Sequence, residues 1–301
     1  MILTVTFNPA IDHTYILDED LEDGNISRTE KSRFDAGGKG INVSSYLSSL
    51  GLDSVATGFL GGFTGKFIRS ELDDQGLDYD FVEGGRTRIN TTVVANSEEY
   101  KINHSGPETH EENVKKVIEK IRERNPEAIV ISGSLPPGID YTAIERIKNE
   151  VSSKVVVDLS GDVLAELNED YFLAKPNEEE LSKATGIEVN SVKSAVEASE
   201  VLLERGFQNV LASLGEKGAL LSSDDQRIYA KGLDVEVVDT TGAGDAMLSA
   251  TISELLEGKD KFESLKNGLA FSTIVVQTSG TQIPELEKLE EYKERAEIEK
   301  R

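Results

Sequence analysis

Cysteine is absent from the sequence. Disulfides, thiolate zinc centres and cysteine nucleophiles are excluded with it. Histidine is scarce: His13, His104 and His110 are scattered without ligand spacing and read as surface or supporting residues. No run of about 18 apolar residues occurs, so no segment is built to cross a bilayer as a helix. The opening MILTVTFNPAID has neither the basic region nor the apolar stretch of a secretion signal. These absences predict a soluble, cytoplasmic protein with no membrane partner.

Positive charge is also in short supply. Lys and Arg number 32 against 56 Asp and Glu, a formal net charge of −24 over 301 residues. Such a surface repels nucleic acid and anionic membranes. It suits a high-salt cytoplasm, where counter-ions screen the self-repulsion.

What is plentiful is alternation. Short apolar runs at Ile2–Phe7, Ala128–Ser132, Val155–Leu159, Phe172–Ala174, Val210–Ser213 and Val235–Val238 read as strands. Helical patterns lie at Asn113–Arg124, Tyr141–Glu150, Glu178–Thr185 and Val192–Arg205. The alternation predicts an α/β fold: a doubly wound, mostly parallel sheet with helices on both faces. Ligands bind such sheets beyond the carboxyl ends of the strands. Residues 13–35 and 86–104 break the pattern and read as β-rich. They predict a small antiparallel lid over the sheet end, within a single domain spanning 1–301. The charged tail from Pro284 reads as a solvated helix.

The stretch TTGAGD at 240–245 lies between the apolar run Val235–Val238 and a helical pattern through Met247, Leu248, Ile252, Leu255 and Leu256 that Gly258 stops. It therefore reads as a strand-to-helix turn. The amides of Gly242, Ala243 and Gly244 open the helix, where free N–H groups and the helix dipole favour a phosphate. Asp245, in the first turn, stands where a carboxylate can take the proton of an attacking hydroxyl. DAGGKGINV at 35–43 again sets small residues before a helical pattern, with Lys39 and Asn42 available to an anionic or hydroxylated ligand. It is not a Walker A loop, and GGFTGKF at 61–67 lacks that motif's leading glycine and hydroxyl residue. No Gly-x-Gly-x-x-Gly follows the first strand, which disfavours a dehydrogenase. SGSLPPG (132–138), KPNEEE (175–180) and SLGEKG (213–218) each follow a predicted strand, at the expected ligand edge.

Together these motifs resemble the ribokinase-like (PfkB-type) carbohydrate kinases over essentially the whole chain. TTGAGD, KPNEEE and SLGEKG carry the general resemblance. NPAID (8–12), GGKGINV (37–43), TRIN (87–90) and SGSLPPG narrow it to the phosphosugar branch, which holds 1-phosphofructokinases and tagatose-6-phosphate kinases. The resemblance implies Asp245 as general base and Gly242, Ala243 and Gly244 as the anion hole. It implies sugar contacts from Asp12, Gly37, Gly38 and Asn42. Lys39, Arg88 and Ser134 would grip the phosphate already on the sugar, with Asn90 and Asn103 beside it, and Arg28 fits the same pattern. It places Lys175, Asn177, Glu180, Ser213, Gly215, Gly218 and Thr240 around ATP, with Glu180 near Mg²⁺ through water.

The implied reaction is ATP-dependent phosphorylation of a ketohexose monophosphate, foremost fructose 1-phosphate to fructose 1,6-bisphosphate. Tagatose 6-phosphate, fructose 6-phosphate, or an unphosphorylated sugar or nucleoside are the alternative acceptors. A sugar-phosphate-binding regulator without catalysis is the rival class, and the intact Gly242–Asp245 stretch weighs against it. Lid strands with exposed apolar faces pair readily between subunits, so a homodimer through the lid is expected.

Overall fold

The structure is a computed structural model describing residues 1–96, 98–280 and 282–301; Ser97, inside the second lid segment, and Thr281 lie outside the described residues. The first part of the chain runs β1 (Ile2–Thr6), β2 (Ala10–Leu17), β3 (Lys31–Gly37), α1 (Lys39–Ser49), β4 (Ser54–Leu60), α2 (Gly62–Asp74), β5 (Asp78–Tyr79), β6 (Val82–Glu83), β7 (Arg88–Ala95) and β8 (Glu98–Ile102). The middle runs α3 (Glu111–Arg124), β9 (Ala128–Ser132), α4 (Tyr141–Glu150), β10 (Lys154–Asp158), α5 (Gly161–Glu166), β11 (Leu173–Ala174), α6 (Glu178–Thr185), α7 (Val192–Glu204) and β12 (Asn209–Ser213). The last part holds β13 (Gly218–Ser223), β14 (Arg227–Lys231), α8 (Ala243–Leu256), α9 (Lys261–Val275), α10 (Leu289–Arg295) and β15 (Ile298–Lys300).

The strands β1 and β9 are buried along their whole length, which both-faced coverage requires. Their side chains divide by parity. Leu3, Val5, Ile129 and Ile131 pack with Val117 and Ile121 of α3 and Ile144 of α4. Ile2 and Val130 pack on the other face with Val43 and Leu47 of α1, Leu248 of α8 and Leu269 of α9. The main sheet runs β15-β14-β13-β12-β11-β10-β9-β1-β4-β5, with β6 also on β4. Pairing is parallel from β4 through β1, β9, β10 and β11 to β12, and antiparallel from β12 outward to β15. The predicted doubly wound, mostly parallel sheet is present. Among the described residues no helix is long and apolar enough to cross a membrane.

Three local expectations need correcting. Val235–Val238 is not a strand, although it alternates like one. The place beside β14 is taken by β15, and the N–H groups of Val238 and Asp239 both bond to the Val276 carbonyl beyond α9. TTGAGD is thus a loop-to-helix turn. The tail is not merely a solvated helix: α10 buries Tyr292, and β15 closes the sheet edge by pairing Ile298 with Ala230. The lid is a four-stranded sheet ordered β3-β2-β7-β8, but its central pair β2–β7 is parallel. Both strands leave the body at one end, Ala10 opposite Arg88, so they must run the same way. Strands β4, β13 and β14 were not legible as strands; Thr57 and Gly58 interrupt the apolar run of β4.

Candidate active site

The parallel strands end at a cavity of about 470 Å³ beneath the lid. Helix α8 opens onto it. Its N-cap, Gly242, has φ 80°, and a Cβ there would stand 2.4 Å from Tyr46 Oη, so both backbone and space require glycine. A Cβ on Gly244 would meet Lys175 Nζ at 3.3 Å. The Gly242 and Gly244 amides belong to the first helical turn, which has no intrahelical acceptor for them. The Ala243 N–H is engaged by the Thr240 carbonyl at a long 3.3 Å.

Asp245, one step along α8, is buried, and Asn42 Nδ2 donates to its Oδ2 at 2.8 Å. Burial above all, then the neighbouring Asp158 carboxylate, pushes its pKa up to about 7, against the pull of Lys39, the Asn42 bond and Lys175. Asp158 terminates β10. Its Oδ1 takes Lys39 Nζ at 2.9 Å and Lys175 Nζ at 3.3 Å, and Lys39 Nζ also reaches Glu180 Oε1 at 3.3 Å. Burial opposes ionisation of Asp158, yet the two ammonium groups outweigh it and hold the carboxyl below its ordinary range. Burial likewise opposes the charge on Lys39, and Asp158, Glu180 and Asp245 together override it, raising its pKa. Asp158 Oδ2 is buried with no hydrogen-bond partner among the described residues.

The lid side carries a second group. Asp12 on β2 sits opposite Asn90 on β7, and Asn90 Nδ2 donates to Asp12 Oδ1 at 2.9 Å. Burial raises the Asp12 pKa in spite of Asn90 and Arg88. Gly37 makes room for that carboxylate, since a Cβ there would fall 2.0 Å from Asp12 Oδ2. Gly38 caps α1 with φ 143°. Arg88 Nε and Nη2 donate to the Asn8 carbonyl at 3.2 and 2.9 Å, Nη1 to the His104 carbonyl at 2.7 Å, and Nη2 to Ser134 Oγ at 3.1 Å.

On the opposite side the cavity adjoins a hollow of about 1100 Å³, sharing Asn177, Ser213 and Gly244 with it. Asn177 caps α6 and Glu180 completes a reciprocal capping box: Glu180 N–H donates to Asn177 Oδ1 at 2.8 Å, and Asn177 N–H to Glu180 Oε2 at 2.9 Å. Gly215, Gly218 and Thr240 line this hollow, and Val237, Met247, Leu269 and Val276 give it an apolar wall. The irregular path of 235–238 thus supplies wall rather than sheet.

The cavity gathers Asp12, Gly38, Lys39, Asn42, Arg88, Asn90, Ser134, Lys175, Asn177, Ser213, Gly242, Gly244 and Asp245 from distant parts of the chain. It does not gather Arg28, which lines a separate hollow on the lid with Tyr15 and Lys31. Nor does Asn103 line it; its neighbour His104 meets Arg88 and Asn90 instead. Within the cavity it shares with Arg88 and Ser134, the Lys39 ammonium is held by Asp158 and Glu180. Sequence reading missed Asp158 and Asn8. A carboxylate closing the strand KVVVD at the ligand edge was the available signal for Asp158; the role of Asn8 depends on contacts with Ser105 and Ser134 that no local pattern announces.

The sequence profile of the pfkB family carbohydrate kinases matches residues 5–289. A 1-phosphofructokinase of Haloferax volcanii is 47% identical over 288 residues, covering 95% of this chain and 94% of that protein. A D-tagatose-1-phosphate kinase of Bacillus licheniformis is 36% identical, covering 93% and 94%. The crystal structure of Escherichia coli phosphofructokinase-2 with fructose-6-phosphate superposes with a TM-score of 0.87 at 26% identity, covering 98% of each chain. With a buried carboxylate beside a glycine cradle at the sheet end, and a family match across nearly its whole length, the chain belongs to the pfkB family of carbohydrate kinases.

Proposed function

We propose that this kinase transfers the γ-phosphoryl group of ATP to a hydroxymethyl oxygen of a ketohexose monophosphate, with fructose 1-phosphate going to fructose 1,6-bisphosphate as its main reaction. The observation that carries the reading is the position of Asp245. It lines the same cavity as Gly242 and Gly244 of the cradle and as Asp12, Asn90, Arg88 and Ser134. The names of the relatives point to the same class of acceptor.

Arg88 and Ser134 would hold the phosphate already on the sugar, because a guanidinium with a hydroxyl beside it matches a phosphate's paired oxygens. Asp12, Asn42 and Asn90 would take the sugar hydroxyls, with Gly37 and Gly38 leaving them room. The nucleotide would lie across Thr240, Ser213, Gly215 and Gly218, its phosphates approaching Lys175, Asn177 and the cradle. Lys39 fits the transferring phosphoryl group better than the sugar phosphate, since its ammonium is held by Asp158 and Glu180.

The residues fit Mg²⁺. The described residues hold no cluster of three or more protein ligands, but the unpartnered Asp158 Oδ2 and the nearby Glu180 offer oxygens to an ion that keeps most of its waters. When bound, the ion would supply charge neutralisation on the nucleotide phosphates. The acceptor oxygen forms its bond to the γ-phosphorus as the bond to the β–γ bridging oxygen breaks, and ADP leaves. The acceptor proton passes to Asp245. Charge on the transferring group is met by the Gly242 and Gly244 amides and by Lys39 and Lys175. The lid keeps water from competing as acceptor.

Two further features belong to this reading. Tyr15, Ile16, Phe34, Tyr100 and Ile102 are exposed on the lid, which supports pairing of two copies through it. The net charge supports a protein at home in a salt-rich cytoplasm. A coupled assay with ATP across fructose 1-phosphate, fructose 6-phosphate and tagatose 6-phosphate tests the function. Fructose 1-phosphate should show the highest kcat/KM, and no turnover with any of the three would overturn the reading.

A further inference from the structure

Arg88 is one charged contact between lid and body; Arg33 on β3, whose neighbour Asp35 sits opposite Asp12, makes another. Its Nε pairs with Asp35 Oδ2 at 2.5 Å, and Nη1 donates to Ser279 Oγ at 2.7 Å. The guanidinium lies against Gly280, which has φ 64°; a Cβ there would stand 2.7 Å from Arg33 Nη2. The Gly280 N–H donates to Asp239 Oδ2 at 2.9 Å. The other oxygen, Oδ1, accepts the Thr241 N–H at 2.9 Å. Thr241 is followed directly by Gly242, the cap of α8. An unbroken line of contacts therefore runs from a lid strand to the first residues of the cradle.

Asp239 is the hinge of that line. Burial pushes its carboxyl up, but the Thr241 and Gly280 bonds and the Arg33 charge outweigh burial and keep it ionised. A single exposed ion pair or hydrogen bond adds little to stability. Its position matters more, because Asp239 grips both the turn that meets the lid and the residue that sets the cradle. Neither Arg33 nor Ser279 lines the sugar cavity or the adjoining hollow.

We propose that Arg33 is a positioning residue for phosphoryl transfer: through Ser279, Gly280 and Asp239 it couples the seated lid to the Gly242–Gly244 cradle. The proposal rests on the kinase reading above. Because Arg33 touches neither ligand site, its loss acts on the transfer step rather than on affinity. A displacement of about 1 Å at the reacting centre can cost up to a hundredfold in rate.

The test compares Arg33→Ala, Ser279→Ala and the double variant with the wild type. Each is first checked for native circular dichroism and elution volume. On whichever sugar phosphate the wild type phosphorylates, Arg33→Ala should lower kcat about tenfold and leave both KM values within about twofold. Sugar-independent ATP hydrolysis per transfer should rise. The double variant should be no slower than Arg33→Ala, since both changes remove one link. Arg33→Lys, which keeps the charge without the planar fork, should recover part of the loss.

An unchanged kcat, a loss confined to KM, additive losses in the double variant, or a lower melting temperature with intact kcat would each overturn the coupling. A wild type inactive on every sugar phosphate would instead overturn the kinase reading. The coupling is then read by hydrogen exchange at the Gly242–Gly244 amides. Arg33→Ala should speed that exchange in the free protein, and unchanged exchange there would overturn the proposal.

Discussion

Asn42 on α1 and Asp245 on α8, 203 positions apart in the chain, are joined by a hydrogen bond of 2.8 Å from Asn42 Nδ2 to Asp245 Oδ2. The amide fixes one carboxylate oxygen and leaves the other for the acceptor hydroxyl of the proposed reaction. Because Asn42 donates to the charged form, it also opposes the burial that would keep Asp245 neutral.

Replacing Asp245 with Asn should lower kcat by about 10²–10⁴ with the fold intact, as expected for removal of a general base. The same change should raise the melting temperature at pH 8. A buried carboxyl with a raised pKa binds its proton more tightly folded than unfolded, so stability falls as pH rises from the ordinary carboxylate range through about 7. Ionised Asp245 therefore destabilises the fold at pH 8. Calorimetry of both proteins at pH 5 and 8 should show the gap widening as pH rises between them.

The pH–rate profile should have an acid limb centred on about 7, set by Asp245. Only the ionised carboxylate accepts a proton, so kcat/KM climbs through that value and levels above it. Measured at constant ionic strength, a limb near pH 4 would mean that the base lies elsewhere. The residual activity of Asp245→Asn should lack this limb.

Truncating Arg88 to Ala should weaken binding of the phosphorylated sugar by a few kcal/mol, since a buried phosphate contact is left uncompensated. The loss should appear in KM for the sugar phosphate and spare KM for ATP. Equal losses on a sugar phosphate and its unphosphorylated parent would remove Arg88 from phosphate recognition.

Gly242→Ala should reduce turnover severely, because φ 80° and the 2.4 Å approach to Tyr46 Oη leave no place for a methyl group. Adding Tyr46→Phe relieves the clash but not the backbone strain, so recovery should be partial. Full activity in Gly242→Ala would show that the cradle does not need this geometry.

Light scattering should give a dimeric mass, and mutating the exposed Ile16 and Ile102 to Asp should release monomers. The melting temperature should rise with added KCl until the surface charge is screened, by about 1 M on Debye-length grounds. A salt-independent melting temperature would dispose of the salt-rich cytoplasm.

Much of this protein could be read locally. TTGAGD at a helix start, GGKG at the opening of α1, and helices α4 and α6 follow from glycine freedom and the 3.6-residue period. Each is a relation among residues within a few positions. What the tertiary structure alone decided is which distant groups share a site. Asp158 gathers Lys39 and Lys175, and Asn42 meets Asp245, because sheet order brings separate strand ends together. The failed strand at 235–238 makes the same point: a period of two marks which residues suit a strand, but a partner edge must be free, and β15 had taken it. Arg28 and Asn103 matched a pattern by type, yet a residue enters a site only if its backbone path leads there.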